Sequence, residues 1–551
     1  MSGGHQEFGH CDCPACAGRD ADGTVTSSLG DERAPQMAPT YSDTQVIGQI
    51  DAGTQWATSQ ISYGLLQSSP IWDIGYEGDG FSAFTAYQAN ATRAIMSLWD
   101  DVIAPSFVEQ STNQEYAQVK FGSTTTDIAY AHAYYPGSYL WAGEVWLNSQ
   151  TYTGLYSPDP GDYYWMTILH EVGHAIGLSH PGAYNGGSPT YANDAVYAQD
   201  THQWTVMSYF DASNTGADWN GGSGWQYAQT PMVHDVLTIQ AIYGADQTTR
   251  TGNTTYGFNS NAGNALYDFS QNSAPVLTIY DAGGIDTLDL SGFSHRAVIN
   301  LQPGTYSSAG GTSSSMTYNI GIAHNAWIEN ALGGSGNDEI YGNSLANQLS
   351  GNGGNDHLYG LNGNDTLSGG AGVDWAHFSL GIVSYAFEIL QSAIQVVGDY
   401  IDTVWNDIEW LSFADVTSSY QDIVEQWGVI TPLESNGDYT LGQRGTRYWI
   451  IAADGNEIGL SLSGRAVGPN TLADWQAIQV EESGDGGFEV LWKSTTGTYS
   501  LWDTDANGAY VTHFRISQSQ LASHEATFET DLNGDGQLGS PPPPISDFLL
   551  V

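Results

Sequence analysis

Apolar residues change their period twice along this 551-residue chain, and each change predicts a different kind of structure. Trp165, Ile168, Leu169, Val172 and Ile176 fall at three- and four-residue steps. That spacing predicts a helix over residues 163–177 with one buried stripe. Asp162 is placed to cap its start, and Gly177 to end it by adopting a left-handed turn. From Gly333 onward one apolar residue recurs in each nine: Ile340, Leu349, Leu358 and Leu367. Short inward-facing strands between glycine-rich turns give that pattern. After about residue 430 the runs Tyr448-Trp449-Ile450-Ile451 and Tyr499-Ser500-Leu501-Trp502 predict a small β-rich module. Its tryptophans Trp449, Trp475, Trp492 and Trp502 are read as core in preference to a glycan platform. No stretch approaches the roughly 18–20 apolar residues of a membrane helix.

The first helix carries chemistry. It reads His170-Glu171-Val172-Gly173-His174-Ala175-Ile176-Gly177-Leu178-Ser179-His180. His170 and His174, four apart, share one face and suit one metal ion. The chain reversal at Gly177 is expected to return His180 as a third nitrogen. Three neutral imidazoles around zinc leave a position open for water, whose pKa then falls to about 7. Glu171, beside the first ligand, is placed to act as the general base. Histidines and a glutamate on an apolar helix are costly to bury without a metal. The order is a zinc-peptidase signature, and Val206-Met207-Ser208-Tyr209 follows it.

The nine-residue units begin at Gly333, Gly342, Gly351, Gly360 and Gly369. Asp338, Asp356, Asp365 and Asp374 share one register, and Asn347 replaces aspartate in the second unit. Aspartates and turn carbonyls supply the hard oxygens that calcium takes. The candidate calcium residues here are Gly334, Gly336, Asp338, Gly351, Gly353, Asn355, Asp356, Gly360, Asn362, Asn364, Asp365 and Asp374. The unit with Asn347 is expected to bind more weakly. Near the end, Asp531, Asn533 and Asp535 stand at positions 1, 3 and 5 of an EF-hand-like loop, with Gly536 at position 6. Pro542 stands where the glutamate at position 12 belongs, so this candidate calcium loop is weakened.

Composition narrows the options. Sixty acidic residues against 11 basic ones give a formal charge of −49, which argues against a basic surface for nucleic acid or anionic membrane. With 40% hydrophobic residues the chain still has material for real cores. Residues 1–20 lack an apolar signal core. All three cysteines lie in Cys11-Asp12-Cys13-Pro14-Ala15-Cys16, which excludes a disulfide framework for the body of the chain. One of Cys11, Cys13 and Cys16 is a candidate latch on the open zinc position; incidental metal binding or a flexible remnant are the alternatives.

On its zinc motif, its continuation His180-Pro181-Gly182 and the Met207-Ser208-Tyr209 turn, the chain resembles the metzincins, and among them the serralysin-type secreted metalloproteases with RTX calcium-binding repeats. The resemblance implies that Met207 floors the metal and that Tyr209 is a displaceable fourth ligand that stabilises the tetrahedral intermediate. It implies that Ala142–Asn148 is the edge strand that pairs with substrate backbone. It adds calcium positions at Arg250, Gly252, Thr254, Asp281, Gly283, Gly284, Asp286 and Glu329. It also likens residues 402–415 to a strand pair closing the repeats, and the tail Asp547–Val551 to a type I secretion signal.

The resulting expectation is a multidomain chain: an α/β metzincin catalytic domain, a parallel β-roll and a small β-rich C-terminal module. The boundaries are a pro-segment at 1–38, the zinc protease domain at 39–246, the calcium-binding roll at 247–420, the module at 421–540, and a proline spacer with the export tail at 541–551. The expected function is that of a secreted, extracellular zinc endopeptidase, monomeric, with one catalytic zinc and several structural calcium ions. It would act on protein or peptide substrates, use a type I secretion apparatus, and bind no nucleic acid. The alternative is a calcium-dependent cell-surface or glycan-binding protein with secondary or latent protease activity.

Overall fold

The computed structural model describes residues 10–12 (backbone only), 38–73, 76–126, 128, 130–149, 158–222, 224–469 and 471–539. They fall into two compact units, Met1–Ser379 and Leu380–Val551.

The first unit opens with a seven-stranded sheet and its helices. In chain order these are β1 (His10–Asp12), α1 (Asp43–Ile50), β2 (Gln60–Leu65), β3 (Phe81–Ser82), α2 (Ala86–Asp100), β4 (Ser106–Glu109), β5 (Val119–Thr124), β6 (Ala131–Tyr134), β7 (Glu144–Asn148), α3 (Tyr163–Ile176), α4 (Tyr191–Asp194) and α5 (Val233–Tyr243). The spatial order is β1-β6-β7-β5-β2-β4, with β3 added to β5. Strands β4, β2, β5 and β7 are mutually parallel, while β6 runs antiparallel to β7 and β1 antiparallel to β6. Every residue of β5 and β7 is buried, as expected of strands covered on both faces. Trp99 of α2, Phe121 of β5 and Trp146 of β7 fill the core.

This arrangement corrects one expectation. The strand at Glu144–Asn148 is internal, flanked by β5 and β6. The strand that follows it outward is β6, because residues 131–134 double back beside β7.

The second half of the first unit is a coil of short parallel strands. Asn330–Leu332, Gln348–Gly353 and Thr366–Ala371 pair in one sheet; Glu339–Tyr341, His357–Tyr359 and Trp375–His377 pair in another. The chain switches sheets at every nine-residue unit, so partners are two units apart: Leu349 faces Leu367, and Ile340 faces Leu358. Ile340, Leu349, Leu358 and Leu367 are all buried. Glycines make the corners. Gly354 has φ +117°, and a Cβ there would lie 2.0 Å from the Gly336 carbonyl. Preceding strands lock the coil to the sheet domain: Gln229 N–H donates to Val276 O at 2.8 Å, and the Tyr306 ring stands edge-on to Trp204.

The second unit is antiparallel. Ile401–Trp405 pairs with Ala393–Val397, while Trp410–Ser412 pairs with Thr417–Ser419. Residues 402–415 hold two strands, Ile401–Trp405 from its second residue on and Trp410–Ser412, which do not pair with each other. Beyond the helix Tyr420–Trp427 come two four-stranded sheets, Thr431 to Gly459 and Trp475 to Ile516. Trp492 and Trp502 lie in their shared core with Tyr448, Leu441 and Val480; Trp475 packs against it partly buried.

Leu358 is fully buried between the flanking turns of the coil. Leu358→Ala is expected to cost about 2–5 kcal/mol, read by urea unfolding of the full chain. A loss below about 1 kcal/mol would contradict a closely packed coil interior.

Candidate metal centre

Helix α3 forms where its periodicity and caps place it. Asp162 accepts from Trp165 N–H at the N-terminus, and Gly177 closes the helix at φ +113°. A Cβ on Gly177 would come within 2.2 Å of Thr54 O, so the turn requires glycine. The chain then passes Leu178 and returns His180 to the same side as His170 and His174.

The three ring nitrogens converge. His170 Nε2 and His174 Nε2 each lie 3.1 Å from His180 Nε2. Each opposite nitrogen faces a backbone carbonyl: His170 Nδ1 is 2.7 Å from Val206 O, His174 Nδ1 2.7 Å from Leu178 O, and His180 Nδ1 2.9 Å from Tyr184 O. A carbonyl can only accept, so each Nδ1 carries the hydrogen and each Nε2 presents a bare lone pair. Burial pushes His170 down to about 4 and His180 well below its ordinary value, which keeps both neutral. Three lone pairs aimed at one point repel each other unless a cation sits among them. The donor set therefore fits a metal ion, and three imidazoles at such separations are what zinc takes at about 2.0–2.1 Å.

Glu171 is fully buried on the same helix. The Tyr209 ring stands 4.5 Å from that of His180 and 6.0 Å from that of His170. Met207 packs beneath the helix at Gly173, where a Cβ would meet its Sδ at 2.6 Å. The glycine inside the zinc motif is thus set by the methionine of a distant turn. A cleft of 630 Å³ opens alongside, lined by Tyr184, Asn185, Asn193 and Asp194 among others.

Two buried aspartates brace this arrangement, and neither was signalled by the sequence. Asp235 of α5 accepts from Thr205 Oγ1 (2.5 Å), Val206 N–H (2.9 Å) and Met232 N–H (2.8 Å). It thereby holds the residue whose carbonyl orients His170. Asp200 accepts from Tyr184 Oη and Ser208 Oγ, each at 2.7 Å. It ties the residue that orients His180 to the neighbour of Tyr209. Burial raises their carboxyls to about 7 and about 6.

A second cluster lies ahead of the coil. Asp281, Asp286 and Glu329 are drawn together, with Asp286 N–H donating to Glu329 Oε2 at 2.7 Å. Burial, with Asp281 and Glu329 as like charges, raises Asp286 to about 7. Gly284 brings the 250–254 loop close: a Cβ there would lie 2.5 Å from Gly252 O and 2.7 Å from Asp286 Oδ1. Thr254 N–H donates to Asp286 Oδ1, and Gly283 N–H to Asp281 Oδ1. The Arg250 side chain turns away to Asp101 at 2.7 Å and Tyr280 O at 2.8 Å, so only its backbone belongs to this loop.

In the coil the register aspartates stack turn upon turn. Asp338 N–H donates to Asp356 Oδ1, Asp356 N–H to Asp374 Oδ1, and Asn347 N–H to Asp365 Oδ1. Each second oxygen lies over the glycine that begins its unit: Cβ atoms on Gly333, Gly351, Gly360 and Gly369 would fall 2.2–2.6 Å from it. Asp356 Oδ2 is buried with no hydrogen-bond partner among the described residues, and burial raises its carboxyl to about 7. A cation fits that orphaned oxygen. At Asn347 the atom over the unit's first glycine, Gly342, is the amide oxygen, and the amide nitrogen, in place of the second carboxylate oxygen, donates to Glu329 O at 2.9 Å. Among the turn residues, Gly353 N–H donates to Gly334 O, and Asn355 Oδ1 accepts from Val373 N–H. Asn362 and Asn364 sit in the corner before Asp365.

The loop at 531–539 curls around Asp531, whose oxygens accept from Gly534, Asp535 and Gly536 N–H. Glu525, fully buried and unforeseen, accepts from Asn533 and Gly539 N–H. Pro542, the proline spacer and the export tail lie outside the described residues, as do Cys13 and Cys16; Cys11 is described through its backbone alone.

Residues 245–414 match the model of the peptidase M10 serralysin C-terminal family, and residues 439–539 that of the tryptophan-rich Synechocystis species C-terminal domain. The metallopeptidase AprA of Pseudomonas marginalis is 40% identical over 328 residues, 58% of this chain and 66% of that protein. Serralysin C of Dickeya chrysanthemi is 40% identical over 290 residues, 51% of this chain and 58% of the relative. This chain belongs to the serralysin family. The serralysin of Photorhabdus laumondii subsp. laumondii matches at 40% over 297 residues, 53% of this chain and 60% of its own length. The chain spans about three-fifths of the length of the curated relatives it matches. The serralysin match embraces the carboxylate cluster and the stacked aspartates described above. Among the described residues no helix is long and apolar enough to cross a membrane.

Asp235→Ala would leave one hydroxyl and two backbone N–H groups without their acceptor. Loss of such a support is expected to weaken zinc binding about 10–100-fold, measured by competition with a chromogenic chelator. An unchanged affinity would show that the turn holds Val206 without it.

Proposed function

We propose that this chain is a secreted zinc endopeptidase, built as an α/β metzincin domain followed by a calcium-carrying parallel β-roll and a small β-rich module, with the boundaries given above. The observation that carries the reading is the convergence of three unprotonated Nε2 atoms, two of them from the helix that carries the buried Glu171. His170, His174 and His180 would hold zinc, with Tyr209 as the displaceable fourth ligand. The chemistry zinc supplies when bound is Lewis-acid activation of water and of the scissile carbonyl. Glu171 takes the proton of the attacking water and returns it to the leaving amine. Tyr209 turns its phenol hydroxyl to the oxyanion of the tetrahedral intermediate. The substrates are proteins or peptides in extended form, pairing through their backbone with a strand, and on this side β7 is followed outward by β6 and then β1.

Calcium is proposed at the Asp281–Asp286–Glu329 cluster, between the coil aspartates, and more weakly at Asp531, Asn533 and Asp535. Type I export and extracellular work suit such sites, since they fill where calcium is plentiful. The rival reading, a glycan- or cell-surface binder, loses support because Trp492 and Trp502 are consumed by the module's core.

Glu171→Gln is expected to keep the metal while casein hydrolysis falls at least about 100-fold. Full activity in that variant, or activity that survives removal of zinc, sinks the proposal. The calcium assignment has its own signature. Carboxyls raised to about 7, as at Asp286 and Asp356, favour the metal-free fold when protonated. That stability is fully present below their unfolded pKa, near 3.9, and is lost as pH rises through about 7. Chelator-treated protein should therefore melt higher at pH 5 than at pH 8, with calcium restoring the pH 8 transition. Scanning calorimetry reads both; a calcium-insensitive transition counts against the sites.

A further inference from the structure

Glu481 lies at the seam between the two sheets of the C-terminal module. Its strand, Trp475–Glu482, packs against Tyr439–Arg444 of the other sheet. The residue is only 6% exposed, and its Oε1 is buried with no hydrogen-bond partner among the described residues. That oxygen points into the turn Glu434-Ser435-Asn436-Gly437-Asp438, which joins Thr431–Glu434 to Tyr439–Arg444. A Cβ on Gly437 would overlap Oε1, and Gly437 is held at φ +91°. Residues 435–438 are themselves exposed, so a single thin turn separates the oxygen from solvent.

Two more carboxylates border it. Glu434 commits both oxygens to amides: Oε1 accepts from Leu441 and Val480 N–H at 3.3 and 3.2 Å, and Oε2 from Asn436 N–H at 3.1 Å. Asp438 closes the turn from an exposed position. Burial pushes the Glu481 carboxyl up to about 7, with Glu434 and Asp438 as like charges beside it and the Tyr439 and Asp438 amides offsetting part of the rise. Among the described residues none of these three acids has an ion-pair partner. A buried carboxylate with a bare oxygen and like-charged neighbours is costly unless a cation meets it.

We propose that this seam is a calcium site, in which Glu481 Oε1 is the buried ligand, Asp438 a second carboxylate, and the carbonyls of residues 435–437 with water the remainder. Calcium accepts such an uneven set of six to eight oxygens, whereas magnesium demands a regular octahedron. The site is separate from the coil and from the loop at 531–539, and it holds whether or not the chain is a peptidase. The ion fastens one sheet to the other. Through Asn436 Nδ2, which donates to Thr530 Oγ1 at 3.1 Å, it also steadies the segment leading into the 531–539 loop.

The test is hydrogen exchange of the full chain at pH 8, where the carboxyl is ionised, with and without calcium. In the parent, calcium should slow exchange in peptides covering residues 434–441 and 478–482, with half the effect at about 0.1–1 mM. Glu481→Gln keeps the shape and removes the charge, and it should abolish that slowing. The calcium response of the coil at 338–374 should persist in the variant, and unchanged exchange at 490–492 verifies that its module folds. Asp438→Asn, at an exposed position outside the packed seam, should raise the half-effect concentration roughly tenfold through the lost ligand charge. No calcium effect at 434–441 in the parent, an equal effect in Glu481→Gln, or an unshifted midpoint in Asp438→Asn would overturn the proposal. Failure of the coil peptides to respond to calcium would count against the coil sites alone, because the seam is read from its own peptides.

Discussion

Three backbone carbonyls decide the state of three imidazole rings, and the rest of the site follows from that constraint. Val206, Leu178 and Tyr184 each take the Nδ1 hydrogen of one histidine, which turns three Nε2 lone pairs toward one point. The carbonyls come from three separate places: the end of α3, the segment after His180, and the turn that contains Met207. The centre therefore exists only once all three segments are docked. Burial holds the His170 and His180 rings neutral, so a cation there meets ligands rather than competing protons.

The supports of those carbonyls are themselves charged or polar groups far along the chain. Asp235 fixes the turn and Asp200 fixes Tyr184, both from buried positions whose cost is offset by two or three donors each. The centre is in this sense a small core of hydrogen bonds set inside an apolar one. Gly173 is the meeting point of the two, since it leaves room for Met207 directly behind the ligand helix.

The calcium-site candidates repeat the same economy with oxygen in place of nitrogen. Each coil aspartate spends one oxygen on the amide of the preceding turn and keeps the other over a glycine. Burial, and after it the like charges of Asp338 and Asp374 stacked on either side, pushes the Asp356 carboxyl up. A chain with a formal charge of −49 makes sense physically if cations neutralise such stacks. Asn347 marks the limit of the pattern, with a hydrogen-bond donor where its neighbours hold an acceptor.

Much of this was legible in the residues themselves wherever the governing contacts are local. The spacing of His170 and His174, the caps Asp162 and Gly177, and the nine-residue recurrence of aspartate and leucine all act within one or two turns of backbone. Pairing partners are not local, and there the reading failed. Residues 144–148 look like an edge until β6 folds back outside them. Asp235, Asp200 and Glu525 look like ordinary surface acids, because nothing near them in sequence reveals the amides and hydroxyls they serve. The sequence by itself determined which side chains can bind a metal and at what spacing, since helical and repeat geometry is set over a few residues. Only the tertiary structure decided which strand borders the centre, what lies on its edge and what braces its ligands, because those depend on contacts between segments far apart along the chain.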